Sequence, residues 1–198
     1  MKKMILGIIL LALLVTSTSC INSQQTDPPQ EYEHNNEGLP LSASHTENDF
    51  VLSLFSDKEV YRTTDAIQIW ATLEYIGNYD EVTIWHSSPS IVFTISDGNR
   101  FNIGGIVFDV LESTDIKRGV VYRFDYQKIG SWSEDAPDAD FWRNFFKEEN
   151  LYLPPGEYTI TVSAEHTVTA LGEFLPTENV LAHPTRDLRV ELNIKVVE

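Results

Sequence analysis

The chain has 198 residues, of which 42% are hydrophobic and 11% aromatic, enough for one domain of average size with its own core. It carries 30 acidic and 14 basic residues, which gives a formal net charge of −16. Such a surface repels the phosphates of nucleic acids and of anionic lipid headgroups. The composition therefore argues against nucleic-acid binding and against a protein that lies on a membrane surface.

The first 20 residues have the three-part pattern of an export signal. Lys2 and Lys3 precede an apolar run from Met4 to Val15, and small hydroxylated residues then lead to Cys20. The apolar run is too short to cross a membrane as a helix, which needs about 20 residues. Because Cys20 is the only cysteine, no disulfide within the chain can stabilise the domain that follows.

The segment VTSTSC, which ends at Cys20, resembles the end of a bacterial lipoprotein signal. In such signals the residue after the cut is a cysteine that receives a diacylglycerol thioether. The resemblance implies a signal peptide of residues 1–19, lipid attachment at Cys20, and a domain anchored on the extracytoplasmic side of the bacterial cell membrane. Ser17 departs from the pattern, where leucine is usual. Ser17 and Ser19 also fit ordinary secretion, which is the alternative.

Polar residues dominate the segment that follows the cysteine. Gln, Asn, Ser, Pro and Glu are frequent in residues 21–48, and no apolar periodicity is present. Segments of this composition bury too little apolar surface to offset the entropy lost on ordering. The sequence therefore predicts a lipidated cysteine and flexible tether over residues 20–48, and a folded domain over residues 49–198.

Alternation of apolar and polar residues predicts strands throughout that domain. The clearest cases are residues 157–166 and 188–196, where every second residue is apolar. Further strands are predicted at residues 50–55, 66–76, 81–86, 91–96, 103–111 and 120–127. Asp97-Gly98 is a hairpin signal, and Pro154-Pro155-Gly156 leads into the strand at residue 157. Several strands at this spacing predict an all-β sandwich or barrel.

One segment has the periodicity of a helix instead. Aromatic residues recur on one helix face within residues 138–149, at positions Phe141, Trp142, Phe145 and Phe146. Asp138 or Asp140 is suited to cap the N terminus of this helix. We therefore expect one short helix inserted between two strands, near residues 138–147.

No catalytic constellation is recognisable in the sequence. It has no G-x-S-x-G elbow and no glycine-rich phosphate loop, and lipid attachment would consume its only cysteine. His86, His166 and His183 have no neighbouring ligand at the spacing of a zinc site. The sequence predicts that the protein is not an enzyme and holds no resident cofactor.

Four carboxylates lie close together before the predicted helix: Glu134, Asp135, Asp138 and Asp140. Oxygen ligands at this density could hold calcium, although the spacing is not that of an EF-hand loop. The alternative is a solvated loop whose aspartates stabilise the helix N terminus.

Two tryptophans, Trp132 and Trp142, flank the same segment. Together with the phenylalanines they could form a platform for sugar rings or for a partner protein. The alternative is that these rings pack the helix onto the sheet.

Two stretches resemble bacterial immunoglobulin-like domains. SDKEVYRTTDAIQIWATLEYIGN, residues 56–78, is similar to their opening, where a short edge strand and a polar turn lead into a long second strand. LPPGEYTITV, residues 153–162, resembles their approach to a late strand. The bacterial intracellular proteinase inhibitor family has this kind of sandwich, and the similarity extends over residues 50–197. The export signal departs from that family, which is named for the cytoplasm.

The resemblance implies an immunoglobulin-like antiparallel β-sandwich of about seven to nine strands, and an exposed loop that binds a protease. From all these features we expect a lipid-anchored extracytoplasmic binding module without catalytic activity. Its partner would be another envelope or secreted protein, and only the N-terminal lipid would touch the membrane. The alternatives are an inhibitor of an extracellular or envelope protease, and a carbohydrate- or calcium-dependent binding module.

Overall fold

The computed structural model describes residues 30–31, 40–171 and 185–198. These residues form twelve strands and one helix, and nine of the strands have five residues or more. The elements are β1 (Gln30–Glu31), β2 (Leu41–Glu47), β3 (Phe50–Ser56), β4 (Val60–Arg62), β5 (Ile69–Tyr75), β6 (Glu81–Ser88), β7 (Val92–Ser96), β8 (Asn102–Gly104), β9 (Phe108–Lys117), β10 (Val121–Asp125), α1 (Ala139–Lys147), β11 (Gly156–Ala170) and β12 (Thr185–Val197). The predicted all-β fold with one short helix is confirmed.

The strands form two sheets that pack face to face. Sheet A has the order β1-β10-β5-β3-β2, and sheet B has the order β4-β12-β11-β6-β9. Strands β7 and β8 also belong to sheet B, where β7 pairs with β11. Neighbouring strands are antiparallel except β4 and β12, which run parallel. The arrangement is therefore a β-sandwich with mainly antiparallel sheets.

Strands β11 and β12 form the longest ladder in the described residues. They pair from Gly156 opposite Val196 to Thr167 opposite Thr185. Alternate side chains of both strands are buried against sheet A, as the sequence predicts: Tyr158, Ile160, Val162, Ala164, Leu188, Val190, Leu192, Ile194 and Val196. The other edge of β11 pairs with β7 in its first half and with β6 in its second half.

Sheet A supplies the opposite wall of the core. Strands β3 and β5 lie at its centre, and the side chains of Leu52, Leu54, Ala71 and Leu73 are fully buried. These apolar side chains face those of β11 and β12, so burial of both inner faces stabilises the sandwich.

Strand β2 corrects the predicted start of the domain. Residues 41–47 pair with β3 along their whole length and belong to sheet A, not to a tether. Gln30–Glu31 also pairs with β10. Edge strands have few buried side chains, and β2 is mostly exposed, so its polar composition concealed it. The predicted leader, Cys20 and the remaining tether residues lie outside the described residues.

The segment expected as one strand at residues 103–111 is also different. It contains two strands, β8 and β9, and β9 continues to Lys117. The predicted Asp97-Gly98 hairpin is confirmed between β7 and β8. The Asp97 carboxylate accepts the backbone N–H groups of Asn99 and Phe101 at 2.8 and 3.0 Å. Gly98 has a φ of 72°, which a residue without a side chain adopts readily.

Tyr61 of β4 connects the end of β3 to the following turn. Its side chain is fully buried, and its hydroxyl donates to Asp57 Oδ1 at 2.6 Å. The Tyr61 hydroxyl oxygen lies 2.6 Å from Ser56 Oγ and accepts the backbone N–H of Lys58 at 3.0 Å. Burial, followed by the hydrogen bond to Asp57, raises the pKa of the phenol. Tyr61 is therefore a neutral buried hub for three polar groups.

Replacement of Tyr61 by phenylalanine tests this hub. We expect Tyr61→Phe to lower the free energy of unfolding by about 1–3 kcal/mol, because the buried Ser56 hydroxyl, the Asp57 carboxylate and the Lys58 N–H lose their shared partner. Urea unfolding followed by circular dichroism measures the change. Tyr79→Phe is the control, because Tyr79 is 69% exposed, and it should leave stability nearly unchanged. Equal stability of Tyr61→Phe and the wild-type chain would contradict the role of the hub.

Candidate functional site

Helix α1 lies between β10 and β11 and carries the aromatic cluster expected from the sequence. Phe101, from the β7–β8 hairpin, contacts three rings of the helix at centroid distances of 5.4 to 6.3 Å: Phe141, Trp142 and Phe145. Phe101 also contacts Tyr158 of β11 at 5.4 Å. These contacts pack the helix onto the hairpin and sheet B, so most of the cluster belongs to the core.

The two tryptophans proposed for ligand binding are used mainly in packing. Trp132 is half-buried and stacks on Phe146, with ring centroids 5.6 Å apart. Its indole N–H is buried and has no partner among the described residues. Trp142 is also half-buried, and its indole N–H donates to Asp138 Oδ2 at 2.9 Å. Of the cluster's rings, Phe141 is the exposed one.

The four carboxylates proposed for calcium do not assemble into a cation site. Glu134 and Asp140 both bind the guanidinium of Arg143. Asp138 occupies the N-cap position of α1, but its carboxylate accepts from Trp142 and caps no backbone N–H. Asp135 is exposed. Within the described residues, no three acidic, histidine or cysteine side chains are close enough to hold a metal ion. Arg143, which the sequence analysis did not consider, serves as the local counter-ion.

A groove opens beside the helix, between the start of β5, the end of β10 and residues 149–151. It is open to solvent and has a volume of about 200 Å³. Arg123 lies over the ring of Trp70 at 4.5 Å and donates to Asp125 at 2.8 Å. Lys128 donates to the backbone carbonyl of Asn150 at 2.7 Å. Because both cations already have partners in the protein, the groove has no field of one sign that would select a charged ligand.

A row of basic side chains crosses sheet B at one end of the core. His86, His166 and Arg186 occupy paired positions on β6, β11 and β12. Both ring nitrogens of His86 are bonded, Nδ1 with Ser87 O at 2.7 Å and Nε2 with Thr114 Oγ1 at 2.8 Å. The row therefore places three groups that can carry positive charge side by side in the sheet.

His166 is the most deeply buried member of this row. Its ring packs edge-on against Phe50 at 4.6 Å, and its Nε2 has no partner within the described ranges. Burial, and then the charges of His86 and Arg186, lower the pKa of His166 to about 4. The imidazole is therefore neutral at pH 7, and this part of the core is sensitive to acid.

Exposed apolar side chains lie at the start of strand β9 and just before it, at the edge of sheet B. Ile106, Val107, Phe108 and Val110 are 39%, 49%, 56% and 47% exposed. Within the described residues β9 pairs only with β6, apart from a single bridge between Tyr75 and Arg118 at its far end. Exposed apolar side chains grouped beside an unpaired strand edge are a candidate contact surface.

The sequence analysis predicted a strand here but assigned no site to it. Its signal was the run Ile106-Val107-Phe108, because three consecutive apolar residues in an extended chain cannot all face one core. The position of β9 at the end of the sheet was not readable from the sequence, since strand order depends on long-range pairing. Exposure of the run therefore became visible only in the fold.

Comparison with known proteins finds no matching family model and no matching curated protein. None of the helices in the described ranges is long and apolar enough to cross a membrane. Of the surfaces on the described residues, the β9 edge differs from the groove and the aromatic cluster because several large apolar side chains are exposed there together. We define the β9 edge as residues 106–116.

The buried His166 predicts loss of stability in acid. The unfolded chain binds a proton near pH 6.5, and the folded chain binds it only near pH 4, so stability falls as the pH decreases between these values. We expect His166 to contribute about 3 kcal/mol to this decrease. Urea unfolding at pH steps from 7 to 4 measures it in the wild-type chain and in His166→Leu.

Comparing the wild-type chain with His166→Leu isolates the contribution of His166 to the pH dependence of stability, because both chains contain the same carboxylates. The pH dependence should be shallower in His166→Leu by roughly the amount assigned to the histidine. His45→Gln, which replaces an exposed histidine of β2, should keep the wild-type slope. Identical slopes for the wild-type chain and His166→Leu would contradict this account.

Proposed function

We propose that this protein is a lipid-anchored extracytoplasmic module that binds another envelope or secreted protein through the β9 edge, without catalytic activity. The single observation that carries the binding role is the exposure of four large apolar side chains at the start of an edge strand, two of them in β9 and two just before it. Covering them would remove apolar surface from water, which is the main source of affinity in protein association. A protein surface rather than a small molecule suits this edge, because it is open and elongated and not enclosed.

The anchoring part of the proposal is supported by the leader. A basic start, a short apolar run and a lone cysteine after small residues are the features of a lipoprotein signal. A diacylglycerol with a further acyl chain would hold the protein stably, whereas one chain gives only reversible binding. The acidic composition is compatible with this arrangement, because the domain would avoid the anionic membrane surface and the lipid alone would make contact.

Binding without catalysis is favoured by the geometry of the titratable groups. Three of the four carboxylates around the start of α1, Glu134, Asp138 and Asp140, are bound to Arg143 or Trp142, and His86 and His166 lie in the core. Each of these groups is engaged in packing or in internal hydrogen bonds. None of these arrangements brings a nucleophile and a base together in an open pocket, which hydrolytic or transfer chemistry requires.

Replacement of the lone cysteine tests the anchor. When the full chain is expressed in a bacterium with labelled fatty acid, we expect the label to enter the wild-type protein and the protein to sediment with membranes. Cys20→Ala should lose the label and move to the soluble fraction, because no thiol is present to form the thioether. Ser23→Ala is the matched control and should behave as wild type. An unlabelled, soluble wild-type chain would contradict lipid attachment.

Charge substitutions at the β9 edge test the binding role. The full chain is immobilised and exposed to envelope and secreted fractions of the source organism, and retained proteins are quantified by mass spectrometry. We expect a stoichiometric partner on the wild-type chain and at least a tenfold loss on the Phe108→Asp, Val110→Asp double variant, because both side chains would then resist burial.

A matched control separates loss of this surface from a general change of charge. Tyr79→Asp alters another exposed aromatic residue, outside the β9 edge, and should retain the partner. Circular dichroism verifies that each variant is folded. Retention of the same proteins by the wild-type chain and by the double variant would exclude the β9 edge as the binding surface. A protease among the partners would identify the protein as an inhibitor.

A further inference from the structure

We infer that the partner segment binding the β9 edge is an extended chain in which apolar residues alternate with lysine or arginine, added to sheet B as one more strand. This inference rests on the proposed function and specifies the chemistry of the partner. It follows from three properties of the edge: the direction of its backbone groups, the two faces of its side chains, and its charge.

The direction of the backbone groups follows from the register of β6 and β9. Glu81 pairs with Lys117, and the next pair continues this register, because Arg118 donates its backbone N–H to Asp80 O at 2.9 Å. In antiparallel pairs, alternate residues direct their N–H and C=O groups to the neighbouring strand. Even-numbered residues of the regular part of β9 therefore face β6, and odd-numbered residues face outward.

An independent contact agrees with this assignment. The backbone N–H of Lys117 points away from β6 and donates to the hydroxyl of Tyr122 at 3.0 Å. Gly119 likewise donates to Tyr75 O at 2.9 Å, so the far end of β9 is closed by sheet A. Ser113 and Asp115 share the outward direction, and within the described residues no backbone group pairs with them on that side. Their N–H and C=O groups form the free part of the ladder.

The side chains of the β9 edge differ between its two faces. Ile116 and its partner Val82 are both buried in the core, and Glu112 and Phe108, opposite His86 and Ser88, lie on this same core-facing side, where Phe108 is 56% exposed at the end of the strand. Asp115 pairs with Thr83, one position from the buried Val82, and accepts the Thr83 hydroxyl at 2.7 Å on the opposite side. A strand added here would lie beside Phe108, Val110 and then Glu112 on one face, and beside Asp109 and Asp115 on the other. Its own residues should therefore alternate between apolar and basic.

The charge of β9 favours a basic partner over a second copy of this chain. Strand β9 carries one lysine, Lys117, and three carboxylates, on Asp109, Glu112 and Asp115. The whole chain has a net charge of −16. Two copies joined edge to edge would bring these carboxylates together, and like charges opposed across a ladder are destabilising. A strand with lysine or arginine on its solvent face would instead be attracted, more strongly at low salt.

Two designed peptides test the predicted chemistry. Acetyl-(Val-Lys)4-amide and acetyl-(Val-Glu)4-amide carry the same apolar residues and opposite charges. We expect fluorescence anisotropy with the full chain to show at least tenfold tighter binding of the lysine peptide at low salt. That binding should weaken several-fold at high salt. Equal binding of the two peptides, or binding of neither, would overturn the inference.

A proline substitution tests strand addition itself. Because the N–H of Ser113 faces outward, Ser113→Pro removes a donor of the free edge but none of the bonds to β6. We expect Ser113→Pro to weaken binding of the lysine peptide at least tenfold relative to the matched control Ser113→Ala, with a melting temperature within a few degrees. Equal affinity of the two variants would overturn strand addition.

Amide hydrogen exchange gives a readout that needs no folded variant. The lysine peptide should slow exchange at Ser113 and Asp115 in the wild-type chain, and unchanged exchange there would overturn the inference.

The experiments distinguish failure of strand addition from failure of the proposed function. Loss of the captured partner with Phe108→Asp, Val110→Asp but not with Ser113→Pro would leave the proposed function intact and reject strand addition. A dimer in sedimentation that forms through the β9 edge would replace the basic partner by a second copy.

Discussion

The pairing of β11 with β12 is the interaction on which the rest of the sandwich depends. It extends from Gly156 and Val196 to Thr167 and Thr185, and its inward side chains form one wall of the core. Strands β4, β6 and β7 are attached to its two outer edges. The described residues contain no cysteine, so this ladder and its apolar burial have no covalent reinforcement. A substitution that breaks the ladder would therefore affect both sheets at once.

The way β11 is shared explains where the two surface features lie. Its first half pairs with β7, which brings the β7–β8 hairpin and Phe101 beneath helix α1. Its second half pairs with β6, and β6 in turn carries β9 at the edge of the sheet. The rings of helix α1 are therefore packed against each other and against Phe101, whereas β9 pairs with β6 on one side only within the described residues. One strand thus positions a closed aromatic cluster and an open edge in the same sheet.

Elements whose side chains alternate strictly were predictable from the sequence. Strands β11 and β12 bury alternate residues, and helix α1 buries one face, so local patterns were sufficient to locate them. Strand β2 was missed because an edge strand with few buried residues has a nearly polar sequence. Strand β2 pairs with β3, and the apolar pattern of β3 does not indicate which segment pairs with it.

The candidate site was less predictable than the fold because its properties depend on contacts between distant residues. The carboxylate cluster looked like a cation site until Arg143 was placed between Glu134 and Asp140. Trp132 was a candidate for a ligand platform, but its ring stacks on Phe146. The apolar residues around the start of β9 were predicted only as part of a strand, and the strand order places them at an edge. In each case the missing information was which neighbour a side chain meets, and not what the side chain is.

In the proposed lipid-anchored form, pairing and detachment of strand β1 would give two different reaches between Cys20 and the domain. Gln30–Glu31 pairs with β10 through two residues only, and so short a ladder stabilises the paired state by about 1–3 kcal/mol. While β1 is paired, about 10 residues separate Cys20 from the domain, and they reach at most about 35 Å. When β1 detaches, the separation grows to about 20 residues before β2, with a reach of about 70 Å. A small force on a bound partner would then detach β1 and lengthen the segment between Cys20 and the domain before it disrupts the pairing of the longer strands.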